Sequence, residues 1–186
     1  MRPLNAVVVA LLIVSACSND TSESATTPET VPDVSASVPP SEPAGTATFA
    51  DLEQTHIDTP VDYEQTPPVG GPHSAVWQTC QFYDVEIPKE RGVHSLEHGA
   101  VWITFDPGLA AADIAVLAQF AEDGDEVLVS PFSGLPAPIV ASAWGKQLQV
   151  DEITDPRLAE FVSYFDDGPQ TPELNTPCAG GTTETD

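Results

Sequence analysis

The sequence predicts an α+β domain: a small mixed β-sheet with about two helices, preceded by a loop-rich N-terminal half. Three observations carry this. Apolar, β-rich runs at 100–105 (AVWITF) and 126–130 (EVLVS) flank a helical spacing at 109–122. Two further runs, 139–144 and 147–150, bracket Gly145-Lys146 as the arms of a hairpin would. Pro/Gly turns gather ahead of these runs, and so do the four histidines, His56, His73, His94 and His98. The order strand, helix, strand, hairpin, helix suggests a sheet with its helices on one face.

Taken in order, residues 1–16 (MRPLNAVVVALLIVSA) have one arginine, an apolar run and small residues ahead of Cys17. This is the pattern of a secretory signal, with an apolar core too short to span a bilayer stably. Val14-Ser15-Ala16-Cys17 resembles the lipobox of bacterial lipoproteins, which implies cleavage before Cys17 and diacylation of its thiol. The expected location is the extracytoplasmic face of the cell membrane, with the chain held there by its lipid anchor. The alternative is an ordinary signal peptide with a chance cysteine.

Residues 17–48 then read as the lipidated cysteine and an acidic Ser/Thr/Pro linker, too poor in apolar side chains to offset the entropy of ordering. Residues 49–168 are the expected single globular domain, and 169–186 a coil tail. The net charge of −24, with only five Lys and Arg, argues against nucleic acid as a partner, because phosphates would be repelled. With Cys17 acylated, Cys80 and Cys178 remain, and in an oxidising compartment they are expected to pair and tie down the tail. The alternative is Cys80 as a free thiolate ligand.

Within the domain, 66–73 (TPPVGGPH) is a shaped loop: two prolines stiffen it, two glycines permit positive φ, and Pro72 fixes the approach to His73. Residues 76–84 suit a strand or a short helix, and 87–92 (IPKERG) a polar connection. Asp155-Pro156 opens the last helix, with Leu158, Phe161, Val162 and Phe165 as its apolar face.

The chemistry gathers at the histidines. His94 and His98 share a face if 93–98 is a helical turn; in a strand they would stand roughly 13 Å apart, too far for one ion. A metal site therefore requires a turn there, ended by Gly99. His73 is the natural third ligand and His56 a fourth, with Glu97 as carboxylate ligand or supporting partner. Imidazole suits copper, zinc, nickel or iron. The only methionine is Met1, so a site here favours Cu(II) or Zn(II) over thioether-bound Cu(I). His94-Ser95-Leu96-Glu97-His98 also matches a metalloprotease pattern, but that pattern needs a long helix, and a β-type run starts two residues later. The competing reading has each histidine bracing a loop carbonyl and no metal at all.

At PPVGGPH (67–73), Trp77, Tyr83, VHSLEHGAVWITFDP (93–107) and LVSPFSGLPAPIVASAWG (128–145), the chain resembles a bacterial exported family called domain of unknown function 3105. It is similar above all to that family's lipid-anchored actinobacterial branch. The resemblance implies a site pattern of His56, His73, His94, Glu97 and His98, and no established activity. Members look like companions of another exported family tied to copper, which implies a metal-handling protein as partner. The reading is a membrane-anchored lipoprotein that binds a transition metal, with copper ahead of zinc. A metal-free structural or interaction lipoprotein is the alternative, and a metal-dependent hydrolase comes last; no catalytic residue is assigned.

Overall fold

The computed structural model describes residues 41–122 and 126–186. The signal sequence, Cys17 and the linker as far as residue 40 lie outside the described residues. The elements run β1 (Ala47–Thr48), α1 (Lys89–His98), β2 (Val101–Phe105), α2 (Ala111–Phe120), β3 (Val127–Pro131), β4 (Ile139–Ala143), β5 (Lys146–Val150) and α3 (Pro156–Phe165). The fold is α+β, as the sequence implies. The sheet order is β1-β5-β4-β2-β3, with β2 and β3 parallel and the other pairs antiparallel. Strand β2, interior to the sheet between β4 and β3, is buried along its whole length, which explains why it reads as an unbroken apolar run and not as an alternating one.

Alternation along β2 divides the core. Val101, Ile103 and Phe105 join Leu117 of α2 and Leu158, Phe161, Val162 and Phe165 of α3 on one side. Each such fully buried side chain is worth roughly 1.5–3 kcal/mol. The α3 start is secured by the Asp155 carboxylate, which accepts from the Arg157 N–H at 3.0 Å. Trp102 and Leu128 point the other way, into a second cluster with Val93 and Leu96 of α1, Tyr83, Ile87 and Trp144. The helices thus occupy both faces of the sheet, correcting the one-face expectation. The reason is α1, which the sequence reading limited to one turn at 93–98.

α1 runs ten residues because it begins inside the apparent polar connection. Glu90 suits the positive end of the helix, while Gly92 lies flat on the Trp102 indole: a Cβ there would meet the ring at 2.7 Å. Every residue from Gly92 to His98 is buried. Gly99, at φ 118°, ends the helix, and the Gly99 and Ala100 N–H groups return to the Leu96 and Ser95 carbonyls. No helix among the described residues is long and apolar enough to cross a membrane.

Two other stretches differ from the sequence reading. Residues 76–84 form neither strand nor helix, only the isolated bridges Gln78↔Thr182 and Phe82↔Val129. Ala47–Thr48, assigned to the linker, is β1 against β5, where Lys146 Nζ also donates to Thr48 Oγ1 at 2.9 Å. The tail holds turns and the bridge at Thr182, and Cys80 and Cys178 are joined in a disulfide that fastens it to the domain.

Candidate metal centre

Four side chains from three segments converge. The buried helix α1 supplies His94 and Glu97, three residues apart and therefore on one face. The Pro/Gly loop supplies His73, and the segment leading into the domain supplies His56. These last two are paired through the backbone: the Ile57 N–H donates to the His73 carbonyl at 2.7 Å, and the His73 N–H to the Thr55 carbonyl at 3.0 Å. The loop is held by Tyr63, whose hydroxyl donates to the Pro72 carbonyl at 2.6 Å, and by the Gly145 N–H, which donates to the Val69 carbonyl. Gly71, at φ 109°, makes the reversal that turns the chain into His73.

One potential ligand atom from each of His56, His73, His94 and Glu97 lies within 4.8 Å of the other three. His73, His94 and Glu97 are buried, whereas the His56 side chain is 46% exposed and forms the open wall. His73 Nε2 lies 2.9 Å from Glu97 Oε2, and His56 Nε2 lies 3.8 Å from the same oxygen. Two ligands about 2.0–2.1 Å from one ion stand roughly 2.9–3.4 Å apart when adjacent and about 4.2 Å apart when opposite. The group therefore needs only a small contraction to close on an ion, and His56 is the member with room to move.

Ring orientation is fixed from behind. A carbonyl can only accept, so His73 Nδ1–H donates to the Gly71 carbonyl at 2.8 Å and His94 Nδ1–H to the Ser74 carbonyl at 2.7 Å. Both rings then present Nε2 for coordination, the arrangement that metal-binding histidines require. The close approach of His73 Nε2 to the Glu97 carboxylate calls for positive charge between them, either a proton or a metal ion.

His98 takes a different position. The structure brings it beside His94, with ring centroids 4.6 Å apart and nearly perpendicular, but outside the four-atom group. Its Nδ1–H donates to the Pro177 carbonyl at 3.3 Å, and its Nε2 lies 3.6 Å from Glu173. The five-residue motif therefore does not work as a metalloprotease would use it, with both histidines on the ion and the acid left to activate water. Here Glu97 joins the group and His98 turns toward the tail.

Burial lowers the His94 pKa from 6.5 to about 4, with the nearby imidazoles adding to the effect and the Ser74 carbonyl opposing it. Burial also lowers the pKa of His98, against the Pro177 carbonyl and the carboxylates of Glu173 and Glu97. His94 is thus neutral at pH 7, the form that binds metal. Cys80 is no ligand, since its sulfur is in the disulfide. The sequence reading missed Glu173, the Ser95 hydroxyl that braces α1 against Gln78, and the three carbonyls that orient the rings. Main-chain acceptors leave no trace in residue type, and Glu173 sits in a tail that reads as coil.

The group can hold a metal ion through three imidazoles and a carboxylate. No curated protein and no solved structure matches the chain. A family profile does match, over residues 54–180, a span that includes the loop, α1, the sheet core and both bridged cysteines. The chain belongs to the family described as Protein of unknown function (DUF3105).

Proposed function

We propose that this protein is a membrane-anchored, extracytoplasmic metal-binding lipoprotein that takes Cu(II), or Zn(II) in its place, through His56, His73, His94 and Glu97. The observation that carries the reading is the convergence of those four ligand atoms within 4.8 Å, two of the rings being held from behind by backbone carbonyls. Copper comes first because imidazole and carboxylate ligands follow the general affinity order in which Cu(II) exceeds Zn(II), and the described group contains no sulfur ligand. The Cys80–Cys178 bridge suits an oxidising compartment, and the anchor is Cys17. The partner would be a protein that delivers or accepts the ion.

The test is metal content and Cu(II) or Zn(II) titration of the purified protein, with His73→Ala and Glu97→Gln as variants. Wild type should bind tightly, and each variant should lose at least about 100-fold in affinity, more than loss of an outer partner usually costs. Unchanged binding in Glu97→Gln, which preserves shape, would overturn the reading. One observation favours a metal-free bracing role instead: the His73–Glu97 contact at 2.9 Å can be satisfied by a proton. In that case wild type takes up no ion, and Glu97→Gln costs stability to the same extent with and without chelator.

A further inference from the structure

His98 and Glu173 stand outside the four-ligand group, yet they are built with comparable care. The His98 side chain is only 3% exposed, and its Nδ1 is engaged by the Pro177 carbonyl, so Nε2 is the atom that faces Glu173 Oε2, 3.6 Å away. That distance is too long for a hydrogen bond. It is close to the roughly 3.3–3.5 Å between two ligands of one tetrahedral ion.

Glu173 is not a stray surface acid. Its backbone N–H donates to the carbonyl of Glu97 at 3.0 Å, so the residue that supplies the inner carboxylate also positions the outer one. The tail that carries Glu173 is fastened by Cys178 to Cys80 and by the Trp77 indole, which donates to the Cys178 carbonyl at 3.1 Å. The Trp77 ring lies 4.9 Å from the His98 ring and 5.7 Å from that of His94. His94 is the member of the inner group that abuts the pair, its ring centroid 4.6 Å from that of His98. Glu173 is half exposed, so the pair can be reached from solvent while its nitrogen ligand stays buried.

We propose that His98 and Glu173 form a second cation position, distinct from the inner group, that binds a divalent transition-metal ion with water completing its coordination. The proposal extends the metal-binding reading to a neighbouring pair but does not require the inner group to be filled. With one imidazole and one carboxylate from the protein, this position binds more weakly than the inner one.

The experiment is titration of the full chain with Cu(II), and separately Zn(II), followed by calorimetry and by Trp fluorescence in wild type and Trp77→Phe. Wild type should take a first, tight equivalent and a second at least about 10-fold weaker, the second quenching mainly Trp77. Glu173→Gln, at a half-exposed position, and His98→Asn should each abolish the second equivalent or weaken it at least about 10-fold, leaving the first intact. His73→Ala should keep the outer equivalent and lose the inner. A wild type in which no equivalent is abolished or weakened by Glu173→Gln and His98→Asn overturns the proposal. A wild type whose single equivalent survives His73→Ala but is lost in Glu173→Gln and His98→Asn overturns the function proposed above and leaves this one standing.

Discussion

Ser95 Oγ donates to the Gln78 carbonyl at 2.6 Å and accepts from the Gln78 N–H at 3.1 Å, all inside the protein. One hydroxyl therefore engages both backbone groups of a residue that lies outside the named strands. Ser95→Ala strands the buried Gln78 carbonyl and leaves the Gln78 N–H with only its 3.3 Å contact to the Arg91 carbonyl, which should cost about 1–3 kcal/mol. The check is the urea midpoint of the metal-free protein.

At Gly92, propensity and packing disagree in sign. Alanine would favour helix by about 0.8–1 kcal/mol, but its Cβ would stand 2.7 Å from the Trp102 ring. Overpacking of this kind costs roughly 1–3 kcal/mol, and Trp102 has no space to retreat because it is fully buried. Gly92→Ala should therefore destabilise the fold and alter the near-ultraviolet circular dichroism of Trp102. A gain in thermal midpoint would show that α1 can lift off the sheet.

His56 and His73 should separate binding from stability. His56 is exposed and has no hydrogen-bonded anchor comparable to that of His73, so His56→Ala should leave the urea midpoint within about 0.5 kcal/mol of wild type while weakening Cu(II) binding at least about 10-fold. His73→Ala removes a fully buried ring together with its contacts to Gly71 and Glu97, and should cost about 1–3 kcal/mol as well as the metal.

The depressed pKa of His94 gives a pH signature in the metal-free protein. Burial favours the neutral ring, so below the unfolded value of 6.5 the unfolded chain binds a proton that the folded one refuses. The contribution is complete above 6.5 and is lost as pH falls toward about 4. His98 is shifted in the same direction. Denaturation at pH 7.5 and pH 5 should show a smaller acid penalty in His94→Asn than in wild type.

The sheet and α3 were legible because each follows a single strong pattern: an apolar run for β2, a turn between β4 and β5, and Asp-Pro ahead of an apolar helical face. α1 was only half legible. Its first turn is Lys-Glu-Arg, its start has no side-chain cap, and its contact with Trp102 depends on a missing Cβ at Gly92. His94 and Glu97 were readable as neighbours from helical spacing, and His73 from its stiff loop. Spacing alone cannot separate His98 from His94, since residues three and four apart share a helix face. That separation comes from Pro177 and Glu173, brought in from about eighty residues away in sequence by the tail.

The rings of His73, His94 and His98 are each steered by a peptide oxygen, at Gly71, Ser74 and Pro177. No side-chain replacement at those three positions deletes the steering group. The aim of the imidazoles is thus encoded in chain path, and only changes that bend the path, through a turn glycine or the tail's cross-link, should spoil it. Engineers seeking to retune this centre can repaint its surroundings freely but must leave the route of the backbone alone.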